Sequence, residues 1–218
     1  MIKAVIFDMD GVLIDSEIVY LRHQHQSLKK QYPWVTEEHL YPTVGMSKAE
    51  HRRFLARLLR RDAADPAFLH ELSAMEQACS IFYPEILNPQ AVPVLKTLKA
   101  GGLQIALASS SGIANIRRVL TECGIAPYFG CVVSGEQFRR SKPDPEIYRY
   151  TMRRLNRRPA ECLVVEDSTY GVQAGAAAGA PVAALRDDRF PFDQSAARFY
   201  IKSLSEIVPL IETENKRA

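Results

Sequence analysis

Five short apolar runs, broken only by Gln104, recur along the chain and constrain its fold more than any other feature. They are Ala4-Val5-Ile6-Phe7, Leu103 to Ala108, Cys131-Val132-Val133, Leu163-Val164-Val165 and Val182 to Leu185. Each is rich in strand formers and shows no polar alternation, so each reads as a strand buried on both faces, as in a parallel sheet. Segments 90–100, 113–123, 145–156 and 171–178 carry helical spacing, and several end at glycines, Gly101, Gly124 and Gly179. Strand and helix alternate, which places the chain in the α/β class with a Rossmann-like parallel sheet.

Residues 16–86 break the rhythm. They show helical periods punctuated by Pro33, Pro66 and Pro84 but no clear strand, so they read as an inserted helical cap domain, with residues 1–15 and 87–218 forming the α/β core. Ser47-Lys48-Ala49-Glu50 matches a capping box, and it opens a helix whose Phe54, Leu55, Leu58 and Leu59 form one apolar stripe. Arg52, Arg53, Arg57, Arg60 and Arg61 fall on its other face, as a solvated surface or as a grip for an anionic substrate.

Composition removes several alternatives. A chain of 218 residues that is 47% apolar and 24% charged can bury a sizeable core. Its 28 Lys and Arg against 25 Asp and Glu leave a net charge of +3 with no long basic block, so nucleic acid is not an expected partner. No stretch of about 18 apolar residues suggests a membrane span. Met1-Ile2-Lys3 leads straight into an apolar strand rather than a signal peptide, and a cytoplasmic monomer is the default expectation. Cys79, Cys123, Cys131 and Cys162 form no C-x-x-C pair and read as packing residues rather than a zinc site or disulfide framework. All five histidines lie between residues 23 and 70, so the core has no histidine nucleophile or base.

The chemistry gathers where the apolar runs end. Asp8-Met9-Asp10-Gly11 follows the first run directly and sets two carboxylates just beyond the C-terminal end of a strand, where open α/β sheets bind ligands. That pair alone is ambiguous, because paired carboxylates also cap helices and line turns. Leu107-Ala108-Ser109-Ser110-Ser111-Gly112 leaves a second run and offers a hydroxyl and backbone N–H groups at a helix start, a phosphate seat or a simple N-cap. Ser141-Lys142-Pro143-Asp144-Pro145 puts a lysine just before a helix. Val164-Val165-Glu166-Asp167-Ser168 ends a strand on two acids, where burying charge is costly without a cation, and a hard divalent metal would account for them. Carboxylates, hydroxyl, ammonium and carboxylates at one sheet edge suit phosphoryl transfer.

Four motifs in this order, Asp8-Met9-Asp10-Gly11-Val12, Ala108-Ser109-Ser110, Lys142-Pro143 and Glu166-Asp167-Ser168 with Gly171, Ala177 and Gly179 following, resemble the haloacid dehalogenase superfamily. The resemblance spans essentially the whole chain and points to the branch of β-phosphoglucomutase-like sugar phosphatases and mutases with a helical cap. It implies that Asp8 attacks phosphorus and that Asp10 protonates the leaving oxygen and then activates water. It further implies Mg²⁺ held by Asp8, the Asp10 carbonyl and Asp167, with Glu166 contributing directly or through water, and a phosphoryl group bound by Ser109, the Ser110 amide and Lys142. Asp10 sets the chain apart from the dehalogenases themselves, since halide departure needs no acid two residues after the nucleophile.

The same resemblance makes Asp15-Ser16-Glu17 a hinge into the cap and Val44-Gly45-Met46-Ser47-Lys48 a substrate-specificity loop, with Gly45, Ser47, Lys48 and Arg52 as candidate substrate contacts. The mutase-like pattern has arginine where this chain has Lys48, which weakens a bidentate grip on a second phosphate. Tyr20 stands where the mutases carry a supporting histidine. Asn88-Pro89-Gln90 replaces the usual Pro-Gly after the cap. The expectation is a Mg²⁺-dependent phosphatase of a small phosphorylated metabolite, sugar phosphates foremost, with a phosphohexomutase as the alternative. A binding protein that keeps the fold is a third class.

Overall fold

The computed structural model describes every residue except Gly45, Ser47, Cys79, Ser80 and Ala218. Six strands, β1 Ala4–Phe7, β2 Gln104–Ser109, β3 Cys131–Ser134, β4 Cys162–Glu166, β5 Val182–Leu185 and β6 Phe199–Ile201, form one sheet. The helices are α1 Ser16–Lys29, α2 Glu37–Leu40, α3 Lys48–Leu59, α4 Pro66–Ala78, α5 Ala91–Ala100, α6 Ile113–Glu122, α7 Glu146–Arg154, α8 Thr169–Ala177 and α9 Ile207–Lys216. The five apolar runs all became strands. β6 and α9 follow the last run and were not among the expected elements. Phe199–Ile201 is only three residues long between Arg198 and Lys202, and its middle residue, Tyr200, is 51% exposed, so its apolar run is too short to stand out.

The chain divides into two compact units, Met1–Asp15 with Tyr83–Asp188 and Phe192–Ala218, and Ser16–Phe82 with Arg189–Pro191. Residues 83–86, assigned to the insertion from sequence, form a short 3₁₀ turn in the first unit, and residues 189–191, assigned to the core, fall in the second. The physical reason is local. Tyr83 is buried and its hydroxyl donates to Asn115 Oδ1 of α6 at 2.6 Å, while the Phe190 ring meets Tyr41 edge to face at 6.0 Å.

In the first unit the strand order is β3-β2-β1-β4-β5-β6, parallel throughout. Every residue of β1 is completely buried. Ala4, Ile6, Ala106, Ala108, Cys162 and Val164 share one face with Ile147, Tyr148 and Met152 of α7 and Val172 and Ala174 of α8, as the two-residue period of a strand requires. The chain leaves β1 toward β2 on one side, and β4 pairs with β1 on the other, so the strand order reverses at the end of β1. Phe7 is in register with Leu107 and with Val165, which brings Asp8, Ala108 and Glu166 to the same level at that crevice.

The second unit contains α1 to α4. Leu21, Leu28, Val35, Leu40, Leu55, Leu59 and Phe68 form its apolar interior. Its histidines work as struts: His23 Nε2 pairs with Met75 O at 3.0 Å, His25 Nε2 with Val35 O at 3.1 Å, and His51 Nε2 with the Gln24 side chain at 3.0 Å. Arg61 lies past the end of α3 and is tied to Asp65 at 2.9 Å, Glu71 at 3.4 Å and the Tyr32 hydroxyl at 3.1 Å. It therefore serves this unit's own packing, whereas Arg52, Arg53 and Arg57 are exposed on α3.

Candidate active site

All four motifs deliver their side chains to the C-terminal ends of β1, β2 and β4 and to the loop before α7. The chain after β1 closes on itself through Gly11 N–H to Ile14 O at 2.8 Å and Leu13 N–H to Met9 O at 2.9 Å. Gly11 has φ +77°, and a Cβ there would lie 2.0 Å from Asp167 Oδ2. Glycine is thus required twice over, by the turn and by the approach of the Asp167 carboxylate.

Asp8 is buried, and Lys142 Nζ donates to its Oδ1 at 2.7 Å, to Glu166 Oε1 at 2.6 Å and to Ala108 O at 3.1 Å. The three ammonium protons are then all engaged. Glu166 is completely buried and accepts at both oxygens: Lys142 and the Tyr148 hydroxyl at 2.6 Å on Oε1, and the Asp167 N–H at 3.1 Å and the Ser168 N–H and hydroxyl at 3.4 and 3.3 Å on Oε2. A Cβ on Gly171 would fall 1.9 Å from Glu166 Oε1, so the carboxylate lies flat against the first turn of α8. Asp167 is buried, and its backbone carbonyl accepts from the Gln194 amide, which also donates to Leu185 O at 2.9 Å.

Oxygen atoms of Asp8, Glu166 and Asp167 lie within 4.8 Å of one another. Among the described residues Lys142 is the one buried cation set against these three buried carboxylates. Burial pushes the Asp8 carboxyl up, Lys142 opposes this, and Glu166 and Asp10 add to the rise, leaving it at about 8. Burial works against the Lys142 ammonium, but Asp8 and Glu166 more than offset it and hold its pKa well above the usual lysine value. A cluster that must protonate an aspartate for want of positive charge fits a hard divalent cation with oxygen ligands. Asp8, Glu166 and Asp167 would each present a carboxylate oxygen to such a cation, and both Glu166 oxygens also accept hydrogen bonds.

Asp10 is half-buried. The Ser111 hydroxyl donates to its Oδ2 at 2.9 Å, and Ser109 Oγ is 3.5 Å from the same oxygen. Ser109 is buried and accepts the Ser111 N–H at 3.0 Å, while Ser110 is exposed. The structure thus brings Asp8, Asp10, Ser109, Lys142, Glu166 and Asp167 together. Of the candidate substrate contacts, Gly45 and Ser47 lie outside the described residues, as does the side chain of Lys48, and Arg52 is exposed on α3. The expected capping box at Ser47 falls outside them too, although α3 does begin at Lys48. Cys79 is likewise outside, while Cys162 is buried and Cys123 and Cys131 half-buried.

Sequence reasoning missed Tyr148, Ser111 and Gln194. Ser111 was within reach, as the third hydroxyl of a serine triplet. Tyr148 shares an inward stripe with Ile147, Thr151 and Met152 and reads as core, because the sequence does not show that its hydroxyl meets a carboxylate 18 residues on.

Known proteins resemble this chain in sequence and fold. The family model for haloacid dehalogenase-like hydrolases matches residues 2–179. A phosphorylated carbohydrates phosphatase of Thermotoga maritima is 34% identical over 182 residues, covering 81% of this chain and 82% of that protein. A solved structure of a putative β-phosphoglucomutase from Thermotoga maritima superposes with a TM-score of 0.74 at 28% identity, over 97% of this chain and 99% of the other. A β-phosphoglucomutase from Clostridium difficile, 20% identical, shares the fold with a TM-score of 0.83 over 100% of this chain and 99% of that one. Motifs, strand order and family match coincide, and the chain belongs to the haloacid dehalogenase-like hydrolases.

Proposed function

We propose that this protein is a Mg²⁺-dependent phosphatase that hydrolyses a small phosphorylated metabolite, sugar phosphates foremost, through an aspartyl-phosphate on Asp8. One observation carries the reading: among the described residues, three buried carboxylates are set against a single buried ammonium at the switch point of a parallel sheet. A Mg²⁺ held by Asp8, Asp167 and the Asp10 carbonyl would offset the repulsion between an anionic nucleophile and an anionic phosphate.

Asp8 attacks phosphorus as its carboxylate, forming an acyl-phosphate O–P bond while the P–O bond to the metabolite breaks. Asp10 gives its proton to the departing oxygen, with Ser111 holding the Asp10 carboxyl in place. Water then attacks the same phosphorus, Asp10 takes its proton, and the Asp8 O–P bond breaks to release phosphate. Lys142, already seated on Asp8 Oδ1, keeps a positive charge beside the transferring group, and Ser109 with the Ser110 amide receives its oxygens. The chain's 34% identity to the phosphorylated carbohydrates phosphatase supports the substrate class.

The test is release of inorganic phosphate from a panel of some tens of phosphorylated metabolites with Mg²⁺ present, ranked by kcat/KM. Silence across the panel rejects the proposal. The likeness to β-phosphoglucomutase structures keeps a mutase as the second reading. Isomerisation of β-glucose 1-phosphate with a bisphosphate primer separates the two, and absence of isomer product excludes the mutase. Small phosphorylated metabolites are the only partners this reading requires. No described helix is long and apolar enough to cross a membrane.

A further inference from the structure

The turn after β3 is laid directly on the serine loop of the site. The Ser134 hydroxyl, completely buried, donates to Ser111 O at 2.7 Å and accepts the Glu136 N–H at 3.2 Å. A Cβ on Gly135 would lie 3.0 Å from Ser110 Cα. Glu136 then reaches back to the start of α6, where its Oε2 accepts the Ile113 N–H at 2.9 Å. Its other oxygen lies so close to Gly112 that a Cβ there would be 2.6 Å away.

A helix N-terminus beside a phosphoryl-transfer site is the natural seat for a second anionic group of a substrate, because free N–H groups and the helix dipole both favour negative charge. Here the protein's own carboxylate fills that seat. Glu136 is exposed, and its carboxylate is held there by the backbone Ile113 N–H. Ile113 lies two residues beyond Ser111, which touches Asp10, so the Glu136 carboxylate is no more than roughly 14 Å from Asp10 along the chain path. That is of the order of the screening length, about 10 Å at 0.1 M salt.

We infer that Glu136 is a specificity-determining residue that disfavours substrates with a second anionic group, so that the site takes monophosphates whose remaining part is neutral. The inference rests on the phosphatase reading for its substrate class. It also makes a reaction passing through a bisphosphate unfavourable, since the bisphosphate's second phosphate would meet a fixed negative charge.

Glu136→Gln is the test, because the amide oxygen still accepts from Ile113 N–H and only the charge is removed. Phosphate release is measured from a hexose 6-phosphate and from the corresponding 1,6-bisphosphate. The ratio of kcat/KM, bisphosphate over monophosphate, is expected to rise about threefold to tenfold in the variant, with a smaller rise at high salt, as one neutralised charge at this range predicts. The same two ligands are titrated calorimetrically into Asp8→Asn protein with and without Glu136→Gln, so the preference is read without turnover. If the wild type hydrolyses neither substrate, the ratio of affinities still decides the role of Glu136, while the phosphatase reading stands or falls on the full metabolite panel. A bisphosphate-to-monophosphate ratio that Glu136→Gln leaves unchanged in both rates and affinities overturns the inference.

Discussion

Replacing Tyr148 with phenylalanine removes one oxygen from the interior and should cost more than that atom suggests. The hydroxyl is completely buried, donates to Glu166 Oε1 at 2.6 Å, and shares that acceptor with Lys142. Burial first, then the Glu166 charge, raises the phenol's pKa well above its ordinary value, so it remains a donor throughout the neutral range. A hydrogen bond to a buried charged acceptor contributes about 1.5–3 kcal/mol. Phenylalanine keeps the ring beneath Lys142, whose Nζ lies 4.9 Å from the ring centroid, so the hydroxyl's share is isolated. In a chain of this size that loss corresponds to a fall in Tm of about 3–12 °C. Tyr148→Leu should fall further, because it also gives up the ring–ammonium contact, about 0.5–2 kcal/mol, and leaves a void. Calorimetric unfolding of wild type and both variants, alongside kcat and KM on one hydrolysed substrate, measures this. The expected pattern is a kcat loss that exceeds any change in KM, because Glu166 no longer aims Lys142 at Asp8. A Tyr148→Phe protein as stable and as fast as wild type would refute the reasoning.

Other perturbations probe separate parts of the site. Asp8→Asn should abolish turnover while leaving the metal-free protein as stable as wild type or more so, since it removes one of three crowded carboxylates while Lys142 keeps Glu166; a wild-type-like rate would disprove nucleophilic attack by Asp8. With its pKa raised from 3.8 to about 8, Asp8 holds a proton in the folded metal-free protein that the unfolded chain has released. By linkage its contribution makes stability fall as pH rises from about 4 to about 8. Mg²⁺ competes for that proton, so the Tm gain on adding Mg²⁺ should be larger at pH 8 than at pH 6, and a pH-independent gain would count against metal binding at Asp8. Gly11→Ala must carry a side chain at φ +77° and displace the Asp167 carboxylate, so Mg²⁺ affinity measured by calorimetry should drop at least tenfold, about 1.4 kcal/mol. Ser111→Ala should lower kcat by about tenfold with KM little changed, as expected for a group that only orients a general acid; a change confined to KM would remove it from that role.

The strands that carry the site were legible because each is short, almost entirely buried and therefore mostly apolar, and the residues following each run announced themselves by being polar or charged. Asp8 and Glu166-Asp167 are conspicuous for that reason: acids at the end of a buried strand demand a partner. What stayed hidden depends on meetings between segments. Gln194 lies in an irregular loop, and nothing in its neighbourhood indicates that its amide holds the Asp167 carbonyl. Phe199–Ile201 forms an edge strand of only three residues between two basic ones, too short a run to announce itself. Residues 83–86 group with the α/β unit, which sequence does not reveal, because Pro84 looks like punctuation inside the insertion until Tyr83 is seen to bond to α6.

The ends of the inserted helical segment are fastened together within the α/β unit. Ile14 bridges Leu87, Asp15 N–H donates to Ile86 O at 2.8 Å, and Asn88 bonds to Leu13 O and Val12 O at 2.8 and 3.1 Å. The core therefore meets the insertion as a loop already closed at its base, and β1 and α5 keep their stations whatever lies between residues 16 and 82. Such a clasp makes the insertion a replaceable module: its length and sequence can drift while the strand ends that carry the carboxylate cluster keep their register.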